Sequence, residues 1–256
     1  MIKYLEILEE IYRPMATLFG FGLQPIDEAI GRMRPGIYGL IGPGTYPLHL
    51  TMQCLQHNDD VCLYYGYVYP PLTAMQRLSA YGLKIPMAQI IVDPRTTLTR
   101  NTGFSTFRLR MRFMNFIDMY ETLPTPAISI ERLIADISSV REKEDQLVVI
   151  CLDDFAAWLR TSLNALDPRA ADPRRLAQSL QDFSQIYQTI LLAPCQADDP
   201  AAQILTEICN TTLTLTQRDP ADLQAQKQHF TITVRDAISE TPLEFTYSRE
   251  MESFHE

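Results

Sequence analysis

The chain has 256 residues, 46% of them hydrophobic, enough for one α/β domain with a buried core and too many for a disordered segment. Its 22 basic and 31 acidic side chains leave a net charge of −9, which opposes general adhesion to nucleic acid, so any such contact must be a local basic patch. No apolar run reaches the roughly eighteen residues of a membrane span and no signal-peptide core opens the chain. The five cysteines form no CxxC pair, and together these features predict a cytoplasmic protein with reduced core thiols.

In chain order, Tyr4, Leu5, Leu8, Ile11 and Tyr12 form an apolar stripe that predicts an amphipathic helix ending near Pro14. GLQPIDEAIGRMRPG predicts a short helix closed by Gly31 and a turn at Pro35-Gly36, followed by the strand IYGLIG. Residues 48–57 suit a helix, VCLYYGYVY a second buried strand, 72–82 a helix and QIIVD a third strand. The polar, then basic stretch from Arg95 to Met114 fits no element. An amphipathic helix is expected over 128–144, then the strand QLVVICLDD, the helices FAAWLRTSL and LAQSLQDFSQIYQ, the strands TILLAPCQ and TTLTLTQ, and a terminal hairpin of HFTITVRD with PLEFTYS. Strands alternating with helices predict a mostly parallel sheet covered on both faces, with an antiparallel C-terminal edge.

A strand that ends in glycines and feeds a helix is where the phosphate-binding motif GxxxxGK[ST] is expected. That place holds Gly42-Pro43-Gly44-Thr45-Tyr46-Pro47-Leu48-His49. With Gly42 as first glycine, Pro47 takes the place of the second glycine, Leu48 of the lysine and His49 of the magnesium-binding hydroxyl. Proline has no N–H for a phosphate, leucine carries no charge, and imidazole is a poor ligand for magnesium. Shifting the register restores nothing, because no lysine lies between Lys3 and Lys84. Tyr46 and Pro47 are expected to fill the vacated space. The strand through Leu152 ends in Asp153 and Asp154; Asp153 is the candidate magnesium-holding acid, with capping of the next helix as the alternative.

These blocks together resemble the RecA-like motor domain of DnaB-type replicative helicases and, more loosely, the KaiC and RadA branches. The resemblance runs from the Asp27 to Pro35-Gly36 segment through the phosphate loop, YYGYVYP and LVVICLDD to TILLAPCQ, over about residues 20–247. It implies a RecA-like P-loop NTPase fold, a linker-like helix at 1–19, the ATPase-type domain at 20–247 and a tail at 248–256. The family's catalytic glutamate falls on Val68, its glutamine after the sheet strand on Gln196, and its trans-acting Lys-x-Arg pair on Arg235-Asp236-Ala237, leaving one cation. Asp153, Gln196 and Arg235 are thus vestigial candidates, while loss of the lysine, hydroxyl and glutamate implies turnover lowered by orders of magnitude.

Arg108, Arg110 and Arg112, interleaved with Phe107 and Phe113, are candidate nucleic-acid contacts, as are Arg174 and Arg175; a solvated face is the alternative for each. His49, Cys54 and His57 lack the spacing of a metal site, so no metal is expected. The expectation is a catalytically inactive or impaired relative of the helicase ATPase domain. Such a protein needs no cofactor and assembles with itself or with a related helicase-type protein in replication or repair. The alternatives are a divergent ATPase subunit that binds ATP and magnesium and borrows groups from a neighbour, and an ATP-independent DNA-binding module.

Overall fold

The structure is a computed structural model and describes residues 19–31, 33–57, 61–67, 89–92, 130–141, 147–164, 171–218 and 225–256. The expected helices over 1–15 and 72–82, Val68, Tyr69, and the stretch with Arg108, Arg110 and Arg112 lie outside the described residues.

Helix α1 (Gln24–Ile30) carries Pro25 in its first turn and stops at Gly31, whose φ of 67° suits glycine. Asp27 accepts the amides of Phe21 at 2.6 Å and Gly22 at 3.0 Å. The lead-in segment is thereby folded back over the helix, which is the local reason for an acid at this place. Strand β1 (Gly36–Gly42) is buried along its whole length. It starts at Gly36, with φ 153° and an added Cβ only 2.0 Å from the Asn210 Oδ1. That oxygen accepts the Ile37 amide at 3.0 Å, tying the start of β1 to the turn before β6.

Helix α2 (Tyr46–His57) follows, then β2 (Val61–Tyr65) and β3 (Gln89–Val92), α3 (Ile130–Val140), β4 (Val148–Leu152), α4 (Phe155–Asn164), α5 (Pro173–Ile186) and β5 (Thr189–Gln196). The chain continues through α6 (Ala201–Ile208), β6 (Thr211–Gln217), β7 (Lys227–Arg235), β8 (Glu240–Ser248) and β9 (Ser253–His255). Among the described residues, nine strands form one sheet in the order β3-β2-β4-β5-β1-β6-β7-β8-β9. From β3 to β6 all pairs are parallel, and β7, β8 and β9 add on antiparallel. The fold class expected from the sequence is therefore the one observed.

Several boundaries differ. Helix α2 starts two residues before the expected 48, and α5 starts at Pro173 because Asp172 caps it, accepting the Arg174 and Arg175 amides. Helix α6 gave no sequence signal strong enough to read, being only two turns long. Residues 248–256 include strand β9 with Phe254 fully buried, where a tail was expected.

Because the sheet is covered on both sides, its central strands are apolar on both faces. One core holds Leu40, Leu50, Met52, Leu213, Phe230, Ile232 and Tyr247 between α1, α2 and the sheet; the other holds Ile37, Tyr65, Leu133, Ile150, Trp158, Leu180 and Leu191 under α3 to α6. Trp158 is fully buried in the second. Tyr65 donates to Asp136 at 2.9 Å, linking β2 to α3. Among the described residues, no helix is long and apolar enough to cross a membrane.

Candidate functional site

From β1 the chain passes through α2 to β2, two strands beyond β5, whereas β6 pairs on the other side of β1. In an open α/β sheet such a divergence leaves a crevice at the carboxyl ends of the strands. A groove of about 340 Å³, part of it open to solvent, occupies this place and is lined by Gly44, Thr45, Pro47, Leu48, Asp153, Asp154, Pro194, Cys195 and Gln196. Register sets its floor: Gly42 lies beside Gln196, and the Ala197 amide donates to the Gly42 carbonyl at 2.9 Å.

The turn from β1 to α2 is Pro43-Gly44-Thr45, with Gly44 left-handed at φ 52°. The Thr45 carbonyl takes the first helical bond, from the His49 amide at 3.0 Å. Pro47 therefore sits in the first turn, where a proline breaks no helical bond but removes one of the free N–H groups that an anion would use. Leu48 is 3% exposed and packs into the core.

Tyr46 and His49 turn toward the terminal hairpin. The Tyr46 hydroxyl donates to Gln228 Oε1, and its ring lies 4.7 Å from Phe230 and 4.9 Å from Tyr247. His49 Nδ1 and the Tyr247 hydroxyl share a hydrogen bond of 2.5 Å, with the rings stacked at 5.7 Å. This corrects one expectation: Pro47 lines the groove, but Tyr46 is spent on the β7–β8 face.

The two aspartates make different contacts. Asp154 caps α4, its Oδ1 accepting the Ala157 amide at 2.9 Å. Asp153, 2% exposed, accepts the Tyr64 hydroxyl at 3.0 Å and the Tyr67 amide at 2.5 Å, which closes β2 onto the end of β4. Gln196 is exposed at the end of β5, on the groove. These are the sequence-named residues that meet.

Arg235 does not join them. It pairs opposite Thr212, which lies beside Gly39 in the middle of β1, and it sits two strands from β1, on β7, outside the groove lining. Arg174 is bonded to Glu207 at 3.0 Å on the surface, and Arg175 is exposed next to it. Sequence reasoning missed Pro194 and Cys195 as groove walls and the pairing of Arg160 with Asp199, 2.6 Å apart. Burial, reinforced by Asp199 and Asp154, pushes the Cys195 thiol up to about 12, so it stays a neutral wall of the groove and no nucleophile. Among the described residues no lysine or arginine lines the groove, and no group of three or more histidines, cysteines, aspartates and glutamates could hold a metal.

No protein-family model matches the chain, and no curated protein matches it in sequence. Solved structures do: 312 chains match in fold, too many for the fold to single out one activity. One is a DnaB-like replicative helicase, solved in a study that includes its interactions with primase, at 11% identity and a TM-score of 0.59, with 98% of this chain and 66% of that chain covered. Another is a KaiC-like protein from Pyrococcus horikoshii, at 10% identity and a TM-score of 0.59, covering 91% of this chain and 95% of that one. The chain thus spans just under two thirds of the helicase's length. What it shares with both is the RecA-like fold.

Proposed function

We propose that this protein uses the RecA-like scaffold for binding and assembly in DNA replication or repair, without hydrolysing ATP. One observation carries the reading: the turn after β1, where a triphosphate would sit, offers Pro47, a buried Leu48 and a His49 engaged with Tyr247, and no cationic side chain. A triphosphate brought against Asp153 and Asp154 without a lysine meets like charge instead of neutralisation. These residues do not fit a magnesium–nucleotide complex. The DnaB-like helicase in the structural comparison interacts with primase, which supports the idea that such a scaffold can serve partner contacts.

The test is isothermal titration with ATP and magnesium together with a phosphate-release assay. No saturable heat and no release above buffer are expected. Micromolar binding with turnover abolished by Asp153→Ala would overturn the reading.

A second reading is favoured by Asp153 and Gln196 sharing one groove while Arg235, on β7, lies outside it. In an assembly of several copies Arg235 would then serve a neighbour, and the protein would be an ATPase subunit completed in trans. It requires hydrolysis that appears when the chain is mixed with an active helicase and fails on Arg235→Ala.

A further inference from the structure

Beyond β8, the sheet carries a docking groove whose occupant is this chain's own residues Ser253–His255. Phe254 is fully buried there, its ring 5.0 Å from Tyr247 and 5.5 Å from Phe230. Its backbone is held from the other side as well. The Gln53 side-chain amide donates to the Phe254 carbonyl at 2.9 Å, and the Phe254 amide donates to Gln53 Oε1 at 2.9 Å. Gln53, on α2, thus acts toward β9 as another strand would. One residue past β9, Glu256 accepts the Gln24 amide at 3.1 Å. The groove reads an extended segment with one aromatic side chain.

The tie between this arm and β8 is short. It runs over residues 249–252, with Met251 56% exposed and Glu252 at φ 46°, a left-handed conformation that disfavours a residue with a Cβ.

We propose that β9 is an exchangeable arm: two copies of this chain trade residues 253–256, each arm filling the other copy's groove, to give a reciprocal twofold dimer. The arm's contacts in the groove are the same in closed and exchanged forms, so the hinge, where the Met251 amide donates to Ser248 Oγ at 3.4 Å in the closed form, decides between them. Closure is favoured by tethering, which holds the arm at an effective concentration of about millimolar. Exchange is favoured because an extended hinge frees Glu252 from its left-handed turn, and short strained hinges promote swapping. A second copy is the occupant because pocket, glutamine amide and Gln24 amide all match this chain's own segment. The proposal deepens the assembly reading above by naming one interface, and it is indifferent to whether nucleotide binds.

Sedimentation equilibrium on the full chain over a concentration series tests it. The mass is expected to rise from that of one chain to twice that value, and an excess of synthetic peptide 249–256 to return it to monomer. Glu252→Gly should lower the dimer fraction, while deletion of Glu250 and Met251, which prevents the hinge from turning back, should raise it. Phe254→Ala and the milder Gln53→Ala should lose the dimer, with thermal melting confirming that each variant is folded. A monomer at every concentration overturns the proposal, as does a dimer that ignores the peptide and the hinge changes. ATP titration of the same samples reports separately on the absence of hydrolysis.

Discussion

Removing the Asp153 carboxylate strips two donors of their acceptor at once, the Tyr64 hydroxyl and the Tyr67 amide. A buried donor left without a partner costs about 1–3 kcal/mol, so Asp153→Ala is expected to lower the unfolding free energy in urea by at least that much. Asp153→Asn, which keeps one acceptor oxygen, should lose less. Cys195 allows a second test. Its thiol ionises near 9.0 when unfolded and at about 12 when folded, chiefly because it is buried. A raised pKa means that the folded state holds its proton to higher pH. The stability that the neutral thiol contributes is therefore complete below pH 9 and falls as pH climbs from 9 toward 12. Urea midpoints measured across that window should decline, and less steeply in Cys195→Ala. Burial raises the Cys209 thiol too, so it adds a decline of the same sign.

At the scale of elements, the β7–β8 turn is held by one exposed acid. Asp236 accepts the amides of Ile238 at 2.7 Å and Ser239 at 2.6 Å, and these bonds hold its carboxyl below the ordinary pKa. A carboxylate favoured in the folded state stabilises the hairpin above the ordinary value of 3.8 and ceases to as pH falls through the lowered one. Hydrogen exchange at the Arg235–Glu240 end of the hairpin should accelerate in Asp236→Ala at neutral pH and in the parent only in acid. The same position explains why part of the site was unreadable. As a sequence, Arg235-Asp236-Ala237 resembles half of a cationic pair; in the fold, its aspartate builds a turn. The alternation of strands and helices was legible because burial on both faces writes long apolar runs such as VVICL and TILLA. The residue types in the turn after β1 were equally legible, since they are read from the sequence alone. What Tyr46 and His49 do was not, because their partners Gln228 and Tyr247 lie 182 and 198 residues away. Helix α6 and strand β9 are too short to show a period.

The molecule as a whole carries a net charge of −9, and that field acts on every polyanion that approaches. Arg174 and Arg160 are each bonded to an acid, so the charge they present to a phosphate backbone is partly neutralised already. Binding through phosphate contacts releases about 0.9 counterion per contact on duplex DNA and about 0.7 on single strands, which makes it steeply dependent on salt. If the protein acts through protein contacts, fluorescence anisotropy with a labelled single strand should show no saturable rise at physiological ionic strength, and at low salt only weak binding with a shallow slope. Replacing Arg108, Arg110 and Arg112 together by glutamine should then leave the titration unchanged. A slope equivalent to several contacts that disappears in this triple variant would move the function from assembly to single-strand binding. The RecA-like scaffold would be the same in either case, because the sheet order and both cores are set by the buried residues of the strands and helices.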